Sequence, residues 1–348
     1  MPLTHPTLTA EDVHRHVHER CFVASGPSGR VGVELEWLIV RPADPAAYVD
    51  LTTLEAAVGG GPRLPSQGRI TYEPGGQLEL SSLPRGTVAG ACGAAAGDAS
   101  ALATAVTNEG LALVGLGLDP ARVPRRVIAG GRYEAMEAYF DRSGPEGRRM
   151  MCSTASIQAN LGIGAGPAVA RRWRLAHVLG PTLAACFANS PLMHGVPSGW
   201  QSSRLATWRS LDQTRQGPVP QHAPPADAWA RYALDARVML IRDGEGAFTP
   251  ILDPFPFERW IGEGHELGYP TEDDLAYHLT TLFPFVRPRG WLEMRMFDAL
   301  PDPWWRAPIA VTSALLFDDD AGEAARLAAA PAEAMWGAAA RHGLAHPV

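Results

Sequence analysis

No lysine occurs anywhere in the 348 residues, so all 30 basic side chains are arginine. That absence argues against three large classes at once. A P-loop needs a lysine to reach the phosphates, and a pyridoxal-phosphate enzyme needs one for its Schiff base. Protein-kinase chemistry uses a strand lysine as well. Cysteine is scarce too. Cys21, Cys92, Cys152 and Cys186 lie far apart with no C-x-x-C pair, which disfavours a zinc knuckle or disulfide scaffold and fits a reducing cytoplasm. No stretch has the roughly 18 uninterrupted apolar residues that a membrane span needs. The opening "MPLTHPTLTAEDVHRH" has no basic segment leading into an apolar one, so no secretory signal is expected. A net charge of −7 argues against a broad nucleic-acid surface. There is no G-x-S-x-G elbow, and the glycine clusters "GIGAG", "GLGL" and "GEGHELG" do not make a dinucleotide fingerprint.

What is present reads as alternating helices and strands without an internal repeat. A helix is expected from Ala10 to Cys21 behind a Thr9 cap, and a strand over Val31–Val40. "ITYEPGGQLELSS" reads as two short strands around the Pro74-Gly75-Gly76 break, and "TVAGACGAAAGDASALATAVTNEG" as a closely packed helix. "LALVGLGL" is a short strand and "RYEAMEAYF" a helix ending near Asp141. "MMCSTASIQANLGIG" reads as a strand from Cys152 to Leu161, with Cys152 a small buried apolar group rather than a nucleophile. Pro181 is expected to bend or split the following helix. Proline, glycine and serine between residues 195 and 225 predict long, partly mobile loops. Thr271 caps a further helix, "RGWLEMRMFDA" is the last strong strand, and Ala-rich helices finish the chain. His14, His16 and His18 are taken as surface residues that do not share a helix face. The class is α+β around a largely antiparallel sheet, in one domain covering 1–348.

Four of the strand segments share an oddity. Glu34/Glu36, Gln77/Glu79, Ser156/Gln158/Asn160 and Glu293/Arg295 are each spaced by two, with apolar residues between them. Alternation sends each set to one face, neighbouring members roughly 6–7 Å apart. A half-exposed sheet wetted on its outer face explains any one pair. All four together form a face of acids and amides with a single arginine. Clustered carboxylates in a hollow raise one another's pKa unless a cation neutralises them. Magnesium does so with oxygen ligands while keeping room for water and phosphate. Two or three Mg²⁺ with a nucleotide triphosphate would suit such a cradle, with Glu73 a further ligand whose facing the turn leaves open. Arg295 shares a face with Glu293 and could clamp a carboxylate or phosphoryl group. Arg204, Arg209 and Arg215 lie in the loop-prone region, where a solvated surface arginine is the ordinary expectation.

"GVELEWLIV", "YEPGGQLELSS", "MMCSTASIQANLG", "SSRLATWRSLDQTR", "WARYALDA" and "YHLTTLFPFVRPRGWLEMRMFDA" together resemble the glutamate–cysteine ligases of the plant and proteobacterial type. The actinobacterial enzymes of ergothioneine biosynthesis are the most similar group. The resemblance runs from about Glu19 to the end of the chain. It implies a glutamine-synthetase-like catalytic domain, a curved sheet forming a funnel with helices over its outer face. It implies ATP-dependent ligation of L-glutamate to L-cysteine through a γ-glutamyl phosphate, with Mg²⁺. By the same resemblance Glu34, Glu36, Glu73, Glu79 and Glu293 hold metal, and Arg295 lies near the transferred phosphoryl group. Gln158, Asn160, Arg204, Trp208 and Arg215 would line the substrate and nucleotide pockets. Relatives continue with more helix where this chain stops at Val348. Two rivals stay open: a ligase with a different acceptor amine, and a non-catalytic nucleotide- or metal-binding regulator on the same sheet. A metal-dependent hydrolase would normally add histidine ligands, and none lies in the four strand motifs.

Overall fold

The computed structural model describes residues 8–23, 29–59, 63–221, 223–243 and 246–346. Its strands are β1 (Val31–Val40), β2 (Arg69–Tyr72), β3 (Leu78–Ser81), β4 (Ala112–Val114) and β5 (Ser156–Gly162), then the small hairpins β6 (Leu192–Met193) with β7 (Val196–Pro197) and β8 (Leu240–Arg242) with β9 (Phe248–Pro250), and finally β10 (Val286–Pro288) and β11 (Trp291–Asp298). Seven of them form one sheet in the order β10-β11-β5-β1-β3-β2, with β4 also paired to β1. Every pairing in that sheet is antiparallel. The α+β expectation and the largely antiparallel sheet therefore hold.

Alternation decides which way the sheet faces. Val33, Leu35, Leu78, Leu80, Ile157, Ala159, Leu161, Leu292 and Met294 are buried on one side. Helices Val88–Asn108, Pro167–Cys186 and Arg306–Phe317 cover that side. Small residues let the first of these helices lie close, with Ala91, Ala95 and Leu102 buried. Other helix starts are fixed locally. Thr9 with Asp12, and Thr271 with Asp274, form reciprocal capping boxes that satisfy the first free N–H groups.

Several expectations need correction. The segment read as a strand from Cys152 is helix Glu146–Ser153 up to Ser153, and the strand begins at Ser156. Cys152 therefore sits on a helix and is half-buried. Pro181 splits nothing: it lies inside the unbroken helix Pro167–Cys186. The region read as long loops contains helices Ser203–Arg209 and Gln213–Gln216 and leads directly into Pro225–Asp235. Hydroxyl and carboxylate caps at Ser202 and Asp212 start the first two. His14 and His18, four apart on one helix, do share a face, and both reach Asp227 at 3.3 and 3.2 Å. Among the described residues no helix is long and apolar enough to cross a membrane.

Candidate functional site

The polar face of the sheet is the floor of a cavity of about 420 Å³. Register brings the acids together. Glu36 on β1 lies opposite Glu79 on β3, Glu34 opposite Ser81 on one side and Gln158 on the other, and Glu293 on β11 opposite Asn160 on β5. The Pro-Gly-Gly turn brings in Glu73. Gly76 has φ +86°, a conformation that favours glycine, and a Cβ on Gly75 would come within 2.1 Å of the Cys152 carbonyl oxygen. The turn closes with Gly76 N–H donating to the Glu73 carbonyl and Glu73 N–H to that of Gln77. Side-chain oxygens of Glu36, Glu73 and Glu79 then lie within 4.8 Å of one another.

Each carboxylate is held by its neighbours. Glu36 accepts from the Ser156 N–H at 2.7 Å, the Ser156 hydroxyl at 2.9 Å and the Gln158 amide at 3.0 Å. Glu34 accepts from Asn160 at 2.9 Å, and Glu79 from Thr71 at 2.8 Å and Ser81 at 3.0 Å. Burial, then repulsion from Glu36 and Glu79, pushes Glu73 up to about 8. Burial, with Glu293 and Glu79, does the same to Glu34. Burial and Glu79 also raise Glu36. Three convergent, mutually repelling carboxylates with only oxygen donors fit a hard divalent cation such as Mg²⁺.

The opposite wall is built of arginine. Arg287 grips Glu293 with two hydrogen bonds, Nε to Oε2 at 2.5 Å and Nη2 to Oε1 at 3.1 Å. Arg295 stands 3.3 Å and Arg289 3.7 Å from the same carboxylate. Burial works to raise the Glu293 pKa, but Arg287 and Arg295 outweigh it and hold it down at about 2. Arg295 also donates to Gln158 Oε1 at 2.6 Å, which links this wall to Glu36. Arg204 donates to the Arg295 carbonyl at 3.0 Å and lies over Trp208, 5.5 Å from its ring centre. Asp298 pins the helix that carries both: it accepts from the Ser190 and Ser202 hydroxyls at 2.7 and 2.9 Å and from the Asn189 N–H at 2.8 Å.

The cavity thus gathers Glu34, Glu36, Glu73, Glu79, Gln158, Arg204, Trp208, Glu293 and Arg295. Three of the expected site residues are engaged elsewhere. Glu293 stands outside the carboxylate trio and is paired with Arg287 through both oxygens. Asn160 does not line the cavity; it is held between Glu34 and the Trp291 indole, which donates to it at 3.0 Å. Arg215 is 0 % exposed and does not line this cavity: it donates to the Thr281 carbonyl at 2.7 Å and to that of Arg237. Arg204, at 2 % exposed, is no surface residue either. Sequence reasoning missed Arg287, Asp298 and the cavity-lining Tyr133, Met136, Met150 and Met151. "VRPRGWLE" carried a signal for the first: a Pro-Arg-Gly turn between two short strands sets Arg287 opposite Glu293.

The family model for glutamate-cysteine ligase family 2 matches residues 30–347. Glutamate–cysteine ligase EgtA of Mycolicibacterium smegmatis is 43% identical over 342 residues, 97% of this chain and 80% of that protein. The chloroplastic glutamate–cysteine ligase of Nicotiana tabacum is 31% identical over 271 residues, 72% of this chain and 49% of that one. A solved glutamate–cysteine ligase from Francisella tularensis, in complex with AMP, has a TM-score of 0.52 at 12% identity, covering 91% of this chain and 72% of that one. That likeness bears on fold alone.

Proposed function

This chain belongs to glutamate-cysteine ligase family 2, and on that premise we propose that it joins the γ-carboxylate of L-glutamate to the amine of L-cysteine at the expense of ATP. A γ-carboxylate oxygen attacks the γ-phosphorus, ADP leaves, and a γ-glutamyl phosphate forms. The cysteine amine then attacks the acyl carbon, phosphate departs, and the nitrogen loses its extra proton. The observation that carries this reading is the convergence of acids from β1, β3 and the Pro-Gly-Gly turn in one cavity with a wall of arginines.

Glu36, Glu73 and Glu79 would hold one Mg²⁺, and Glu34 would serve a second or third in the same cavity. Bound there, Mg²⁺ would neutralise the ATP phosphates and favour transfer of the terminal one. The protein's own groups supply position and charge. Arg295 and Arg204 balance the negative charge of the transferred group, and Trp208 supports both guanidinium planes. Glu293 anchors Arg287 and Arg295, while Ser156 and Gln158 fix the Glu36 carboxylate. Holding both amino acids beside the nucleotide removes much of the entropic barrier to two bimolecular encounters. Helix Ser203–Arg209 excludes water from the acyl phosphate.

The whole of 1–348 acts as one catalytic domain in this reading. The reaction belongs in the cytoplasm, in ergothioneine biosynthesis, and the four cysteines are all free there. Product mass after incubation with ATP, Mg²⁺, glutamate and cysteine tests the proposal. γ-Glutamylcysteine with stoichiometric ADP is expected. ADP release that needs glutamate but is indifferent to cysteine would point to another acceptor, and no glutamate-dependent ADP would refute a ligase.

A further inference from the structure

Besides the arginine wall and the carboxylate floor, part of the cavity is lined by apolar side chains. Met136 projects from helix Gly131–Asp141, and Met150 and Met151 from helix Glu146–Ser153; all three are buried and line the cavity beside Tyr133 and Pro74. The polar groups around them are largely committed. Gln77 Nε2 donates to the Thr154 carbonyl at 2.8 Å, and the Thr154 hydroxyl donates to the Met150 carbonyl at 2.7 Å. Gln77 Oε1 has no partner, but it is buried and closed to water. Three thioethers on two helices make a small, polarizable, apolar surface. A second cavity of about 340 Å³ shares Thr280, Arg287, Arg289 and Trp291 with the first.

Resting on the ligase reading above, we infer that Met136, Met150 and Met151 form the acceptor subsite and select a thiol over a hydroxyl. Cysteine's CH₂–SH group would lie against the thioethers, since a thiol is a weak donor that loses little on leaving water. The serine hydroxyl would be stripped of water there with no partner. Discrimination by such a pocket is on the order of tenfold to a hundredfold.

The test is kcat/KM for cysteine, serine and 2-aminobutyrate, with ATP and glutamate saturating, in wild type, Met136→Leu and Met136→Gln. The wild type should favour cysteine, accept 2-aminobutyrate, whose ethyl group matches the thiol in shape, and discriminate against serine. Met136→Leu should keep the cysteine-to-serine ratio within about threefold, because the swap conserves volume and polarity. Met136→Gln should lower that ratio about tenfold or more, with KM for ATP and glutamate unchanged. An unchanged ratio, or a shift in KM for ATP alone, overturns the inference. If Met136→Gln does not fold, the wild-type series still decides: serine used as well as 2-aminobutyrate overturns it. Absence of γ-glutamylcysteine in the wild type would refute the ligase reading itself, whereas normal product with an indifferent Met136→Gln refutes only the subsite.

Discussion

Two glutamates in the same cavity have opposite fates. Glu73 faces other carboxylates and is pushed up to about 8; Glu293 faces Arg287 and Arg295 and is held at about 2. Burial acts in the same direction on both. Neighbours decide the outcome: like charges leave the first needing a cation, and guanidinium groups supply the second with one. The cavity is therefore divided into a side where repulsion between carboxylates prevails and a side where guanidinium groups already pair the carboxylate. In the proposed ligation the first side would accept a metal and the second would receive anionic groups directly.

The largest expected effect comes from emptying the carboxylate side. Glu36→Ala should cut kcat by roughly 10²–10³-fold, the scale of losing one preorganised electrostatic group, while far-UV circular dichroism stays unchanged. Near-normal kcat at saturating Mg²⁺ would remove Glu36 from the site. On the other side, Arg287→Met leaves a buried carboxylate without its main partner. It should cost about 3–5 kcal/mol in denaturant unfolding, and a loss below 1 kcal/mol would mean the pair is not the anchor described here. Arg295→Lys should keep the charge but lose the planar contacts, so kcat falls with little change in stability.

A smaller effect separates the two sides by pH. Glu73 and Glu34 have folded values of about 8 against an ordinary 4.5. Between those values the folded state binds more protons than the unfolded one, so metal-free stability should fall as pH rises from 4.5 to 8. Glu293 behaves in reverse: its contribution is complete above 4.5 and is lost as pH falls towards 2. Metal-free protein should thus melt at a lower temperature at pH 8 than at pH 6, with Glu73→Gln reducing the difference. An equal difference in Glu73→Gln would show that the raised group lies elsewhere.

Much of the carboxylate side was legible before any coordinates. Period-two spacing around Glu34 and Glu36 demanded a two-faced strand, and "YEPGGQLEL" marked the turn beside Glu73 while leaving the facing of that residue open. The arginine side was harder to read. Arg204 and Arg215 stand in a segment whose proline, glycine and serine suggested loops, yet Ser202 and Asp212 cap helices there and both arginines are buried. Composition averages over such caps. A register shift between Met294 and Phe297 also breaks the alternation on β11. It lets Asp298 reach Ser190 and Ser202, a contact that strict period-two counting misplaces. Met150 and Met151 were read as leading into a strand, and only the helix that carries them brings them to the cavity.

The central claim is that Glu36, Glu73 and Glu79 together form a divalent-cation site. Titrating nucleotide-free protein with Mn²⁺ and following the electron paramagnetic resonance signal of the free ion measures it directly. Saturable binding in the wild type, greatly weakened in both Glu36→Gln and Glu73→Gln but retained in Met136→Leu, is the predicted result. Equal Mn²⁺ uptake by the wild type and the two carboxylate variants would contradict it.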